Sequence, residues 1–262
     1  MTLGAEERHR LADMLAEAEA TRVVVDPITA SVKDADVVDA YEIQLEQIRR
    51  KLRAGAKVSG HKVGLSSRVM QEMMGVDEPD YGHLLDTMFV YEQDTVDTGL
   101  LCQPRVEVEV SFVLGQRLEG PGVNVADVLR ATEFVMPSIE IIDSRIRAWD
   151  IKLVDTIADN ASSARVVLGG RATSPVGLDI AGIGAVLTKN GTEVARGLAG
   201  AVLGNPVTAV AWLANKVHSF GVVLEPGHVI LPGSCTAAID AAPGDTFVAD
   251  FDSIGSVEVH FG

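Results

Sequence analysis

Apolar and charged residues alternate most clearly in residues 103–115, QPRVEVEVSFVLG. In an extended chain, one face of this strand carries three valines, Val106, Val108 and Val110. Glu107 and Glu109 share the opposite face. The pattern predicts a strand with a packed valine face, and it leaves open whether the two carboxylates meet water or a ligand.

Apolar residues spaced by three and four positions indicate helices in the first part of the chain. Residues 5–20 are predicted to form one helix and residues 35–54 a second. The second has an apolar stripe formed by Val38, Tyr41, Leu45, Ile48 and Leu52. Asp34 or Asp36 is its candidate N-cap. Between the helices, VVVDPITA is predicted to be extended, because Pro27 interrupts a helix.

From residue 57 onward, short β-like runs are separated by Gly and Pro. The predicted strands are KVSGHKVGL, TMFVYE, RVEVEVSFVLG, FVMPSIEIID, RVVLGG, IGAVLTKNG, TEVARGLAG, HVILPG, TFVADFD and SVEVHFG. Asn190-Gly191 predicts a hairpin turn. Two more helices are expected: NVADVLRATEFV, capped by Asn124, and NPVTAVAWLANKVHSFG, capped by Asn205 and with Gly221 at C′.

This order of elements predicts an α+β protein that is mainly β. Strands do not alternate regularly with helices, which disfavours a doubly wound parallel sheet or a TIM barrel. We expect a small N-terminal helical segment, residues 1–56, packed on a rolled or sandwiched β-rich catalytic body, residues 57–262, as one structural unit.

Charge and cysteine content narrow the class of partner and the compartment. The 262-residue chain has 37 acidic and 22 basic residues, a formal charge of −15, so nucleic acid and anionic membranes are disfavoured as partners. Two cysteines outside any CxxC pattern fit a reducing compartment. Neither a signal peptide nor a membrane span is predicted, and the expected location is the cytoplasm.

A third carboxylate makes a metal site competitive with a solvated sheet face. Glu140 lies in the apolar strand FVMPSIEIID, where burial of an unpaired charge is costly. Its partner could be Arg145 or another basic residue, or it could share a cation with Glu107 and Glu109. Three carboxylates without His or Cys favour Mg²⁺ or Mn²⁺ over zinc.

For other polar residues, an ordinary structural role competes with a functional one. Lys62 could be a surface lysine, or it could bind an anionic substrate or transfer protons near the carboxylates. Asp80 lies in the acidic segment GVDEPDYGHLLD, which is typical of a solvated turn. Ser162 and Ser163 lie in VDTIADNASSARVVLGG, where Asx and Ser side chains commonly build a turn.

The ordered motifs resemble one family along nearly the whole chain from residue 35. HKVGLSSRVMQEMMGVDEPDYGHL, QPRVEVEVSFVLG, PSIEIIDSRIRAWDIKLVDTIADNASS, GNPVTAVAWLAN and IGSVEVHF resemble the hydratase/decarboxylase branch of the fumarylacetoacetase-like superfamily. The resemblance implies the fumarylacetoacetase C-terminal-like fold, a mixed β-roll or sandwich. It also implies Mg²⁺ or Mn²⁺ on three ligands, Glu107, Glu109 and Glu140.

Further site residues are implied by the same resemblance. The active-site lysine falls on Lys62 and the acidic residue of the following segment on Asp80. The serine that contacts substrate falls on Ser162 or Ser163. The turn that approaches substrate falls on LPGSCTAAI, where Ser234 and Thr236 are the candidates.

The implied activity is that of a hydro-lyase of meta-cleavage catabolism of aromatic or steroid rings. It adds water to 2-hydroxypenta-2,4-dienoate, or a close alkyl homologue, to give 4-hydroxy-2-oxopentanoate. The sister activity, decarboxylation of 2-oxohex-3-enedioate, would need an extra cation from Arg145, Arg147 or Arg165. A C–C hydrolase would need His61 or His83 paired with an acid.

A non-catalytic partner of a pathway enzyme is the remaining alternative. The resemblance also implies a homo-oligomer, and an association with a pathway aldolase or decarboxylase.

Overall fold

The computed structural model describes residues 2–92 and 94–262. Within them, the α-helices are α1 Ala5–Thr21, α2 Ile28–Ser31, α3 Val37–Arg53, α4 Arg68–Met74, α5 Val125–Ala131, α6 Leu153–Ala158 and α7 Pro206–His218. The strands are β1 Val58–Gly64, β2 Asp80–Leu85, β3 Phe89–Val90, β4 Thr95–Val96, β5 Pro104–Leu114, β6 Thr132–Asp143, β7 Ser163–Leu168, β8 Gly184–Lys189, β9 Thr192–Leu198, β10 Val229–Leu231, β11 Ile239–Asp240, β12 Thr246–Phe251 and β13 Gly255–Phe261.

Two mixed sheets organise these strands. The larger runs in the order β2-β1-β10-β5-β6-β7-β3, and β11 also pairs with β5. Its β1–β10 and β3–β7 pairs are parallel, whereas β5–β6 is a long antiparallel pair. The smaller sheet runs β4-β13-β12-β8-β9. This arrangement, a curved half-barrel beside a second sheet with helices around it, confirms the α+β class.

The valine face of β5 forms part of the main core. Val106, Val108 and Val110 are at most 1% exposed and share this core with Phe247 and Val257 of the smaller sheet. The alternation in the sequence is therefore confirmed, and it turns the glutamates of β5 toward the other face of the large sheet.

The N-terminal helices are joined to the sheet by buried polar contacts. The Asp36 side chain accepts a hydrogen bond from the Asp39 amide at 2.8 Å, which confirms Asp36 as the N-cap of α3. The buried Gln44 amide donates to the carbonyls of Tyr81 and Ile157 at 3.0 and 2.8 Å. The domain division at residue 56 stays a prediction. In the part of the chain described, no helix combines the length and apolar character needed to cross a membrane.

Turn chemistry was predicted well in one place and less well in another. The Asn190-Gly191 hairpin is confirmed, with φ values of 53° and 78° between β8 and β9. Asn205 caps α7 as expected, by accepting from the Val207 amide. Gly221 is not at C′, because α7 ends at His218 with Ser219 as its C-cap.

Several short elements differ from the sequence prediction because tertiary pairing outweighs local preference. VVVDPITA is not extended throughout, since α2 forms at Ile28–Ser31. The helix after Asn124 ends at Ala131, and Thr132 already pairs with Leu114 in β6. The acidic segment predicted as a turn contains strand β2, and α4 and α6 were not predicted at all.

Replacement of Gly60 by Ala should destabilise the large sheet. A Cβ at Gly60 would lie 1.9 Å from the Val229 carbonyl oxygen of β10, so β1 and β10 would have to separate. We expect Gly60→Ala to lower the free energy of unfolding by about 1–3 kcal/mol in urea denaturation. Gly170→Ala is the control, because a Cβ there meets nothing within 4 Å; equal stabilities of the two variants would contradict the prediction.

Candidate metal centre

Two glutamates face each other across neighbouring strands at the centre of the large sheet. Glu107 of β5 is directly paired with Glu140 of β6, and Glu109 is paired with Ser138. Side chains of directly opposed residues have Cβ atoms only about 5 Å apart, and like charges in this position are destabilising. A cation between them removes the repulsion.

The three carboxylates converge to the spacing of a metal site. One oxygen from each of Glu107, Glu109 and Glu140 lies within 4.8 Å of the others. Glu109 and Glu140 are fully buried. Among the described residues, Oε1 of Glu109 and Oε1 of Glu140 have no hydrogen-bond partner. Buried acceptors without donors fit a cation as their partner, and a set of oxygen ligands alone suits Mg²⁺ or Mn²⁺.

The electrostatics of the cluster agree with this geometry. Burial, together with the charge of Glu140, raises the pKa of both Glu107 and Glu109, although the Lys62 ammonium opposes the shift. Burial and mutual repulsion thus disfavour the ionised carboxylates unless a further cation is present. The residues present fit a divalent cation.

Lys62 is the cation that the protein itself supplies. It lies on β1, is 3% exposed, and its Nζ is 3.4 Å from Oε2 of Glu140. Nζ also donates to the Ala161 carbonyl at 3.0 Å. Burial by itself lowers the pKa of Lys62, but Glu140 and Glu107 outweigh it and raise the pKa above its ordinary value. The surface alternative for Lys62 is wrong, and Glu140 has Lys62 rather than Arg145 as its basic partner.

Asp80 lies beside this lysine and not in a solvated turn. It begins β2, is 1% exposed, and pairs with Gly64, while Gly82 pairs with Lys62. Asp80 and Lys62 therefore lie on the same face of two adjacent strands. Burial raises the pKa of Asp80, and the Lys62 ammonium lowers it in part.

The loop that contacts Lys62 has an unusual backbone. Three consecutive residues, Asn160, Ala161 and Ser162, have φ values of 54°, 49° and 56°. Such left-handed conformations cost about 1–3 kcal/mol for each non-glycine residue and persist only where surrounding contacts enforce them. Because this run places the Ala161 carbonyl on Lys62, the strained segment belongs to the site.

Asn160 and Gly82 enforce the conformation of the loop. The Asn160 side chain accepts from the His83 amide at 2.8 Å and donates to the His83 carbonyl at 2.9 Å. A Cβ on Gly82 would lie 2.4 Å from the Asn160 carbonyl oxygen. The two hydrogen bonds between Asn160 and His83, here called the Asn160 clasp, hold the loop against β2. The loop can approach β2 this closely because residue 82 is glycine.

The predicted serines differ in their surroundings. Ser162 and Ser163 are 2% and 4% exposed, and neither hydroxyl has a partner among the described residues. The Ser234 hydroxyl lies against β5 between the glutamates, where it accepts from the Val108 amide at 3.1 Å. The next-door Gly233 amide donates to Oε2 of Glu109 at 2.6 Å. Thr236 is half-buried, and its hydroxyl donates a hydrogen bond to the Ala237 carbonyl.

The histidines lie on the other face of the sheet. His61 alternates with Lys62 on β1, and its ring packs at a tilted angle against that of His83, with 4.8 Å between the ring centroids. Burial lowers the pKa of His83 to about 4 and that of His61 well below its ordinary value. His83 Nδ1 is bonded to Gln44, and no described carboxylate forms an ion pair with either ring. Among the described residues, neither His61 nor His83 therefore forms the His–acid pair that a C–C hydrolase would need.

The groups of the site that act through backbone contacts could not be predicted from the sequence. The Ala161 carbonyl, the Gly233 amide and the Asn160 clasp each depend on contacts between distant segments. The segment 158–160, Ala-Asp-Asn, does contain an asparagine, Asn160, and asparagine tolerates positive φ better than most residues. That was the one local signal for the loop.

Comparison with known proteins places the chain among close relatives. Residues 62–261 match the family described as Fumarylacetoacetate (FAA) hydrolase C-terminal. The chain is 41% identical over 257 residues to 2-oxo-hept-4-ene-1,7-dioate hydratase of Escherichia coli, covering 96% of each chain. It is 40% identical over 256 residues to 2-keto-4-pentenoate hydratase of Paraburkholderia xenovorans (strain LB400), covering 98% of this chain and 95% of the relative.

A solved structure is similar over the full length. 4-Oxalocrotonate decarboxylase from Pseudomonas putida G7, complexed with magnesium and adipate, superposes with a TM-score of 0.97 at 38% identity. The match covers 100% of this chain and 99% of that chain. The relatives therefore include both hydratases and a magnesium-bound decarboxylase.

Removal of the Asn160 clasp should loosen the loop. Asn160→Ala loses both bonds to His83 and leaves alanine at positive φ, so we expect a loss of about 2 kcal/mol or more in urea denaturation. Asn160→Gly removes the bonds but tolerates the backbone conformation. If the glycine variant kept wild-type stability and a slowly exchanging His83 amide, the clasp would contribute nothing.

Divalent metal binding should depend on Glu107. Calorimetric titration of the metal-free protein with Mn²⁺ should show one site per chain, and Glu107→Gln should weaken it by at least about 100-fold. Without metal, the same variant should unfold no more easily than wild type, because it removes a like charge. Glu17→Gln on α1 is the exposed, charge-matched control; wild-type Mn²⁺ affinity in Glu107→Gln would refute the ligand set.

Proposed function

The chain belongs to the fumarylacetoacetate (FAA) hydrolase C-terminal family, and on that basis we propose that it is a metal-dependent hydratase of 2-hydroxydienoates. The substrate is 2-hydroxypenta-2,4-dienoate or a close alkyl homologue, and the product is the 4-hydroxy-2-oxoacid. The observation that carries the proposal is the cluster of three glutamates with the Lys62 ammonium beside it. The hydratase relatives support the reaction type.

We assign the metal ligands to Glu107, Glu109 and Glu140, which would hold Mg²⁺ or Mn²⁺. When bound there, the ion supplies Lewis acidity toward the carboxylate and 2-oxygen of the substrate. The remaining chemistry falls to side chains of the chain. The anionic substrate is attracted locally in spite of the overall charge of −15.

Lys62 and Asp80 are the proposed proton-transfer pair. Lys62 binds the substrate's negative charge and holds a proton on Nζ, oriented by the Ala161 carbonyl. Asp80, on the same face of the adjacent strand, exchanges a proton with substrate or with the attacking water. The side chains of Lys62 and Asp80 are both buried, so the site restricts the access of water to the substrate. Ser162 and Ser234 are the proposed substrate contacts, whereas Ser163, the alternative to Ser162, lines a separate cavity behind the loop.

Decarboxylation is the second candidate, because of the similarity to 4-oxalocrotonate decarboxylase. Its dicarboxylate substrate would need a further cation for the distal carboxylate. Arg145 is committed to a buried pair with Asp159, and Arg147 pairs with Asp26 on the surface. Arg165 lies on the far side of the 160–163 loop, against a separate cavity. These commitments favour a substrate with an uncharged tail.

We also propose that the protein is cytoplasmic and forms a homo-oligomer, with a pathway aldolase or decarboxylase as its associated enzyme. Cys102 and Cys235 are both free thiols, which suits a reducing compartment. The location and the assembly are the finer parts of the proposal.

Turnover of two substrates tests the function. With Mg²⁺ or Mn²⁺, the purified protein should convert 2-hydroxypenta-2,4-dienoate to 4-hydroxy-2-oxopentanoate without release of CO₂. Lys62→Met should lower kcat by at least about 100-fold, because it removes the proton-transfer group. Mn²⁺ binding, measured separately, should persist in that variant.

Other outcomes identify the alternatives. Release of CO₂ from 2-oxohex-3-enedioate, faster than hydration of the dienoate, would overturn the hydratase in favour of the decarboxylase. Preferred hydration of 2-oxohept-4-ene-1,7-dioate would overturn the uncharged tail but keep the reaction. Lack of turnover on all three substrates would favour a non-catalytic partner.

A further inference from the structure

A second cavity lies behind the loop that contacts Lys62. It has a volume of about 410 Å³ and lies between α3, residues 85–88 and the start of β7. Asn160 and Ser163 form part of its wall, whereas Lys62 and the three glutamates of the metal centre do not line it. Its size is within the range of small-molecule sites, about 300–1,000 Å³.

Of the cationic side chains around this cavity, one has no acidic partner among the described residues. Lys51 pairs with Glu19 at 2.7 Å, and the buried Arg145 pairs with Asp159. Arg165 has no carboxylate within ion-pair distance among the described residues, and its guanidinium donates only to the adjacent Ala164 carbonyl, at 2.8 Å. The cavity wall therefore has a net positive charge in a protein that is strongly acidic overall.

A buried hydroxyl without a partner lies in the same wall. Ser163 is 4% exposed, and within residues 2–92 and 94–262 its Oγ has no hydrogen-bond partner. Leaving such a group unsatisfied costs about 1–3 kcal/mol. A ligand acceptor in the cavity would satisfy it together with Arg165.

Another part of the cavity wall is apolar. Ile48, Leu85 and Met88 line it and belong to the small hydrophobic cluster on this face of the sheet. A bare inorganic oxyanion would leave this wall uncovered. A ligand with an acidic head and a hydrocarbon body matches both walls.

We propose that this cavity binds a short-chain monocarboxylate, held at its carboxylate by Arg165 and the Ser163 hydroxyl, with its hydrocarbon chain against Ile48, Leu85 and Met88. The site is separate from the metal centre. Asn160 and Ser163 are the two ends of the four-residue segment that contains Ala161, whose carbonyl accepts a hydrogen bond from Lys62. A ligand that repositions this loop therefore also acts on the lysine, and the coupling is reciprocal.

Calorimetric titration of the metal-loaded protein with pentanoate tests the site directly. Pentanoate has one carboxylate and a four-carbon tail, and it lacks the 2-oxygen needed to chelate the metal. We expect a dissociation constant on the order of 1 mM, weakened at least about tenfold by Arg165→Gln. Ala56→Leu, which fills the cavity without a change in charge, should also abolish binding.

Matched variants separate this cavity from the metal centre and from bulk charge. Arg171→Gln makes the same charge change at an exposed position outside the cavity and should bind pentanoate as wild type does. Glu107→Gln should retain binding as well. Loss in Glu107→Gln with retention in Arg165→Gln would place pentanoate on the metal and overturn the proposal. The proposal would also be overturned if wild type bound no pentanoate at a pentanoate concentration of about ten times the expected dissociation constant.

Acetate and inorganic phosphate test the apolar wall. We expect both to bind at least about tenfold more weakly than pentanoate, because neither covers Ile48, Leu85 and Met88. Equal affinity of all three would contradict recognition of a hydrocarbon chain.

A kinetic readout tests the coupling and rests on the proposed hydratase function. Pentanoate should change kcat of wild type, whereas Arg165→Gln should keep its uninhibited kcat at the same pentanoate concentration. Competition that alters KM alone would refute the coupling through the loop. If the hydratase assay itself fails, the calorimetric result still decides whether the cavity is a carboxylate site.

Discussion

Mutual repulsion of three converging carboxylates, two of them fully buried, is the constraint on which this structure depends. Glu107 and Glu140 are opposed on adjacent strands, and Glu109 lies two residues along. At a separation of about 5 Å and an effective dielectric constant of about 20, each like-charge pair costs on the order of 3 kcal/mol. Lys62, 3.4 Å from Glu140, offsets only part of this cost. The arrangement has lower energy with a further cation, which agrees with the proposed divalent metal at this position.

The surrounding fold keeps the carboxylates together in spite of that repulsion. The valine face of β5 anchors the strand in the main core, and the long β5–β6 pairing fixes the register of the glutamates. Lys62 is held from the opposite side by the left-handed loop at 160–162, itself clasped by Asn160. Rigid strands therefore present the negative charges, whereas a strained loop positions the positive one. The buried Arg145–Asp159 pair and its hydrogen bonds also hold the base of the loop.

The strand faces could be predicted from sequence, but the neighbours of the site could not. Alternation in β5 is a local property, so the opposite placement of valines and Glu107 followed from period alone. Asp80 was assigned to a turn because Pro79 and Gly82 are turn residues, yet pairing with β1 makes it the start of a strand. Nothing local distinguishes Ala161 as a left-handed residue, since its conformation is imposed by contacts from β2. The family resemblance supplied the ligand set that spacing alone left open.

The position of β10 has a consequence for the order in which the nascent chain can become functional. β10 lies between β1 and β5 in the sheet, although its residues 229–231 are translated long after both. Until they emerge from the ribosome, the β5–β6 pair can already oppose Glu107 and Glu140, but the strand that joins β1, with Lys62, to β5 is not yet available. Gly233, which bonds Glu109, arrives with the same late segment. Chains released early by the ribosome therefore expose an acidic strand pair without its counter-charge, and they differ from the finished protein in electrostatics as well as in length.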